Sequence, residues 1–175
     1  MPYLILYYTE SLGFADYVLI FAPAIAASAL FTGLYGKVYD RKGFRFAIIP
    51  TLALLTVGYI GLIFVRNRMP VFLFSLLMMC GFLGTGAMLG ARVRDCTPEG
   101  KAGMFQGLRI IGQVLIPGVV GPAIGAWLLR NADTMVNTDG TTSFIPNESI
   151  FLGALVAVVV VWAALIPLFR KKKGE

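Results

Sequence analysis

The chain has 175 residues, of which 58% are hydrophobic and 14% charged, with a formal net charge of +6. Soluble domains carry roughly 25% charged residues, so this composition, with a mean hydropathy of +0.80, describes an all-α integral membrane protein. The absence of histidine excludes histidine-based catalysis and histidine metal sites, and the cations flank apolar runs, which argues for an orientation signal and against nucleic-acid binding.

The opening MPYLILYYTESL has no basic n-region and only a short apolar stretch at 2–8, so it is not a secretory signal peptide. That stub is too short to cross a bilayer. It reads as the outer end of a further helix, which makes Met1 an internal methionine of a longer chain and the sequence a fragment. Crossing a hydrocarbon core about 30 Å thick takes about 20 residues at 1.5 Å each. Five stretches free of Asp, Glu, Lys and Arg reach that length, at 17–36, 46–65, 69–91, 110–129 and 150–169. None shows the polar face of a water-soluble amphipathic helix.

Polar joints separate these spans. Thr97 before Pro98 reads as a helix N-cap with proline in the first turn, and Asn147 or Ser149 as a cap for the last helix. Alternation places the loops 37–45 and 92–101 and the tail RKKKGE on one side. Eleven of the fifteen Lys and Arg then lie there, against Arg66, Arg68 and Arg130 on the other, with Arg109 left over at the entry of the fourth span. Basic excess marks the cytoplasmic face, so the expectation is a multi-pass cell-membrane protein with a cytoplasmic C-terminus. Cys80 lies in an apolar run and Cys96 in a polar loop, and no disulfide is expected between them.

Residues 36–45, GKVYDRKGFR, place five charges between two uncharged runs. The bland account is a short cytoplasmic hairpin held by Lys and Arg, with glycines allowing the turn. It leaves unexplained an acid where the next helix begins. Asp40 could favour the positive N-terminal end of that helix, Arg41 or Arg45 could pair with it, and Gly36 could let two helices approach closely.

The spacing Gly36, Asp40, Arg41, Gly43, Arg45 resembles the cytoplasmic loop motif of the major facilitator superfamily, in its looser second copy between the eighth and ninth helices. Three further spans and a basic tail follow it here, as that position requires. The resemblance covers essentially the whole chain and implies the second half-bundle of the fold: helices eight to twelve, and the end of the seventh at residues 1–12. It implies alternating-access transport around a central site, with Gly36, Asp40, Arg41, Gly43 and Arg45 as a conformational latch. Asp40 is then the acidic member, Arg41 and Arg45 its partners, and Gly36 and Gly43 the close-packing positions. Phe44 stands where the family often has a basic residue. A second block, RDCTPEGKAGMFQGLRIIGQVLIPGVVGPAIG from Arg94, resembles sugar carriers of this superfamily, including relatives of the glycoside–pentoside–cation symporters.

Gln106, Arg109, Gln113 and Pro117 fall at spacings of three, four and four, so they share one helix face. A polar stripe on an apolar helix turns toward a cavity or the bundle interior. Gln106, Arg109 and Gln113 are therefore candidate substrate-pathway residues; the alternative for Arg109 is that it snorkels to the headgroups. Gly86 and Gly90, and Gly121 and Gly125, have the small-residue spacing of helix packing. Pro117 and Pro122 predict a bend. Trp127, Tyr35 and Tyr39 read as interfacial aromatics.

No carboxylate lies in the five runs, so a coupling cation, if one is used, would be bound in the missing half or a partner half. The leading expectation is secondary transport of a small-molecule substrate, a sugar or glycoside, by symport where a coupling cation is used, without a cofactor, metal or nucleic acid. The alternative is a membrane scaffold or assembly subunit derived from a half-carrier. An enzyme is disfavoured, because the spans hold no cluster of acids or cysteines.

Overall fold

In the computed structural model of the chain, residues 2–136 and 140–170 are described. A short helix α1, Pro2–Leu6, runs into a π-helical turn at Tyr7–Ser11. The helical element Tyr17–Phe64 is broken at Gly43, whose φ of 78° and ψ of 174° leave the helical region. Its arms are α2 (17–42) and α3 (44–64). They fold back on each other. Phe31 of α2 and Thr51 of α3 both lie within 4 Å of where a Cβ on Gly84 would sit. In one straight helix those residues would stand about 30 Å apart.

Next come α4, Arg68–Asp95, and a rod made of α5, Ala102–Ile110, a π-helical turn at Ile111–Leu115, and α6, Ile116–Leu128. The last helix is α7, Ser149–Arg170. Four of these helical elements are long and apolar enough to cross a membrane, and the one broken at Gly43 supplies two crossings. The protein is thus an all-α membrane fold with five rods.

The expected spans have the right number and order but stop short. The stretch 37–45 is not an open loop: α2 carries its charges out to Gly43. Lys and Arg are good helix formers once clear of hydrocarbon, and only a positive φ, which glycine adopts freely, ends the rod. Likewise α4 extends to Asp95, and the rod expected at 110–129 already begins at Ala102. Thr97 does not cap that rod. Its Oγ1 donates to the Val93 carbonyl at 2.7 Å and so closes α4. Asn147 does act at the start of α7, where its Oδ1 accepts from the Ser149 N–H at 3.1 Å. The loop expected at 130–149 contains a small antiparallel hairpin, β1 Thr134–Val136 paired with β2 Thr142–Phe144, with Met135 opposite Ser143. The Asp-Gly pair at 139–140 was its signal. The lysines of the C-terminal tail lie outside the described residues.

Two core clusters mark the two ends. Tyr7, Tyr8, Phe21, Leu62, Val71 and Phe151 pack at one, and Tyr39, Ile48, Leu52, Met88 and Leu165 at the other. The α2–α3 corner, the α4–α5 connection and the far end of α7 thus lie at one face, as the alternation requires. Beside the first of these clusters α3 and α4 approach until backbones touch. A Cβ on Gly58 would lie 2.6 Å from Met78 Cα, and one on Gly81 2.6 Å from Leu55 Cα. Gly61 receives the Phe74 ring and Gly84 the Thr51 methyl in the same way. Lipid offers no hydrophobic drive between helices, so such close packing is what holds them together.

Candidate functional site

The five motif residues lie at the α2–α3 corner. Asp40 and Arg41 are exposed, and among the described residues no ion pair joins these two. Asp40 sits in the last turn of α2, three residues before the break, so it does not cap α3. A Cβ on Gly36 or Gly43 would meet nothing within 4 Å. The close approach expected of these glycines is absent, and what Gly43 supplies is its positive φ.

Other residues tie this corner to α4. Tyr39, 8% exposed, donates its hydroxyl to Asp95 Oδ2 at 2.5 Å. The Tyr39 and Phe44 rings meet edge to face with centroids 6.4 Å apart, and the Arg92 guanidinium lies 5.8 Å above Phe44. Tyr39 is therefore more than an interfacial aromatic, and Phe44 fills its motif position by receiving a cation. The sequence held one signal for this. Asp95 is the only acid in α4 and its last residue, beside Arg92 and Arg94.

In the polar stripe of the α5 rod Gln106 and Gln113 are exposed and Arg109 is half-buried. Arg109 Nε donates to Gln113 Oε1 at 2.9 Å. Arg109 and Gln106 line a cleft of about 510 Å³ between the end of α4 and the start of α5, together with Gly90, Arg94 and Glu99. The far end of the Arg109 guanidinium rests on Gly90, 2.9 Å from where a Cβ would project. Gln113 lies within the π-helical turn, four residues before Pro117. Proline at 117 has no N–H for the 113 carbonyl and its ring crowds that carbonyl, so the turn widens.

The glycine pairs on these helices behave differently from expectation. Gly86 and Gly121 face open space, Gly90 seats Arg109, and Gly125 seats the Tyr3 ring. The helix-on-helix contacts belong instead to Gly58, Gly61, Gly81 and Gly84, spaced three apart in each helix.

The α5–α6 rod is the least packed of the five. Every residue from 110 to 124 is exposed. It is held near one end by Arg109 on Gly90, and at the other by Gly125 on Tyr3 and by the Leu128 side chain against Gly153. Cys80, mid-helix in α4, and Cys96, just beyond its end, are about 24 Å apart along the axis, which no disulfide spans.

At the opposite face, Arg66 bridges Glu148 at 2.9 Å and donates to Tyr7 Oη at 3.2 Å. Arg68 lies 3.5 Å from Asp16, and Ser11 Oγ donates to the Pro146 carbonyl. A backbone hydrogen bond within Glu148 and the Arg66 guanidinium hold the Glu148 carboxyl below its usual range; the same carboxylate raises Arg66.

Among the described residues no group of acids and cysteines is placed to hold a metal ion. No family model and no solved structure matches the chain. It is similar to the "Multidrug resistance protein Stp" of Mycobacterium tuberculosis, from strains CDC 1551 / Oshkosh and ATCC 25618 / H37Rv. Each is 30% identical over 119 residues, which is 63% of this chain and 22% of the relative. The chain thus spans about a fifth of the length of the curated relatives it matches. Five crossing rods and this likeness describe a multi-pass membrane protein akin to a transporter.

Proposed function

We propose that the chain belongs to a transporter of the major facilitator kind that moves a small organic solute across the membrane by alternating access. The observation that carries the reading is the 30% identity over 119 residues to proteins named for multidrug resistance. It joins a loop motif, Gly36 to Arg45, that resembles the superfamily's. The relatives' name favours export of drug-sized compounds over the sugar or glycoside suggested by the block from Arg94.

In this reading Gln106, Arg109 and Gln113 line the pathway, and the cleft at Gly90 is one mouth of it. The motif residues act in the latch by shape and charge at the α2–α3 corner, and the Tyr39–Asp95 bond supplies its contact to α4. The five uncharged runs hold no carboxylate. A coupling cation, if transport is coupled, is bound by parts of the transporter beyond this chain.

The test is accumulation of a fluorescent cationic dye, and separately of radiolabelled sugar, in cells expressing the protein. Reduced dye and unchanged sugar support drug export. Sugar uptake alone returns the substrate to the carbohydrate class. No change in either removes the transport reading. Arg109→Ala should lower efflux if the stripe lines the path. Unchanged affinity and rate would leave Arg109 as a headgroup anchor.

A further inference from the structure

The cleft between α4 and α5, which the transport reading takes as one mouth of the pathway, brings together two arginines to which that reading gives no anionic ligand. We propose that it binds an anionic phosphate group, held between the guanidiniums of Arg94 and Arg109. Both line the cleft of about 510 Å³. Among the described residues Arg94 touches an acid only through Nε, 3.8 Å from Asp95 Oδ1, and the other oxygen of that carboxylate is taken by Tyr39. Arg109 spends its Nε on the neutral Gln113 amide. Each arginine therefore keeps its outer pair of nitrogens, whose fork geometry matches two oxygens of a phosphate.

The acid on the lip is Glu99, one negative charge against two positive. The floor is made by Gly90, Ala87 and Ala91, small enough to leave room beside the guanidiniums. Depth suits the ligand as well. With 28 residues, α4 is about 42 Å long against a hydrocarbon core of about 30 Å. Its Arg94 end therefore stands at headgroup level, where lipid phosphates lie, and is open to soluble phosphate too.

The experiment is native mass spectrometry of the detergent-purified chain, titrated with dioleoyl phosphatidylglycerol, with dioleoyl phosphatidylcholine, and with phosphatidylglycerol in competition with inorganic phosphate. Phosphatidylglycerol should bind better than phosphatidylcholine, and Arg94→Gln or Arg109→Gln should each weaken it about tenfold, the loss of one charge-assisted hydrogen bond. Arg68→Gln, which removes a cation from the opposite end of α4, should leave it unchanged. Competition by inorganic phosphate assigns the site to free phosphate, and its absence assigns it to lipid. Arg94 has a side chain 78% exposed, so its variant folds even if Arg109→Gln does not. Equal binding by wild type and Arg94→Gln, or no preference for phosphatidylglycerol together with no effect of phosphate, overturns the proposal.

Discussion

Replacing Gly81 by alanine should unpick the α3–α4 contact. The added Cβ would lie 2.6 Å from Leu55 Cα and 2.7 Å from Leu55 Cβ, whereas carbon atoms pack best at about 3.5–4.0 Å. The obstructing atoms include backbone, so no rotamer change clears them, and the helices must part by about 1 Å. Overpacking of this sort costs about 1–3 kcal/mol. Against it stands the better helix propensity of alanine, worth up to about 1 kcal/mol. The net loss is then as much as about 2 kcal/mol, or several degrees in Tm for a chain of this size. Gly86→Ala is the internal control, because it lies five residues along the same helix and its Cβ would meet nothing within 4 Å. It should be neutral or slightly stabilising. Thermal unfolding in detergent, followed by intrinsic fluorescence, compares the two. Equal shifts for both variants, or a Gly81→Ala protein at least as stable as wild type, would refute the packing argument.

Tyr39→Phe removes the hydroxyl that Asp95 accepts and should destabilise the chain by about 1–3 kcal/mol in the same unfolding assay, with Asp95→Ala giving no further loss on top of it. Thr85 carries a buried hydroxyl oxygen with no partner among the described residues, so Thr85→Val should be neutral or stabilising; a clear loss of Tm would show that the hydroxyl is engaged. The Glu148 carboxyl is held below the ordinary glutamate value of 4.5. Its contribution is therefore present above that pH and lost as pH falls through the lower folded value. With both partners near half exposed, the effect is small, about 0–1 kcal/mol. A Tm profile from pH 6 to pH 3 should flatten in Glu148→Gln, and an unchanged profile would remove the ion pair from the account.

Span number and order were legible because a charge inside hydrocarbon is costly, so gaps between Asp, Glu, Lys and Arg trace the rods. Their ends were not. At Lys37 and Ala102 the rods leave the lipid but keep their hydrogen bonds, and a charge rule stops at the lipid. Gly43 as the true break was legible only in kind, since glycines at 36 and 43 look alike in sequence and differ in φ. The polar stripe was legible from spacing alone: Gln113 at i+4 from Arg109 came within hydrogen-bond reach. Which glycines seat a neighbouring helix was not, because Gly81 and Gly86 share one helix and differ only in what stands opposite. The partners Tyr39–Asp95 and Arg92–Phe44 are 56 and 48 positions apart, and no local pattern announces contacts at that range.

The packing itself divides the chain into a firm part and a loose one. The hairpin of α2 and α3 and the helix α4 share both core clusters, and α3 and α4 touch backbone to backbone at Gly58 and Gly81. The α5–α6 rod touches the rest near its two ends, and every residue from 110 to 124 between them is exposed. Elements with few buried contacts open at the lowest free energy. A π-helical turn lies in that unsupported stretch, at Ile111–Leu115, and wide turns of this kind loosen the backbone ladder. The rod that carries Gln106, Arg109 and Gln113 is therefore also the rod that can shift against the others at least cost, pivoting between the Gly90 and Gly125 contacts. Removing one pivot tests this directly. Gly125→Leu, which drives a side chain into the Tyr3 ring, should raise amide exchange across 110–124 several-fold while leaving α3 and α4 protected; exchange rising equally in all three would mean the rod is not a separate unit.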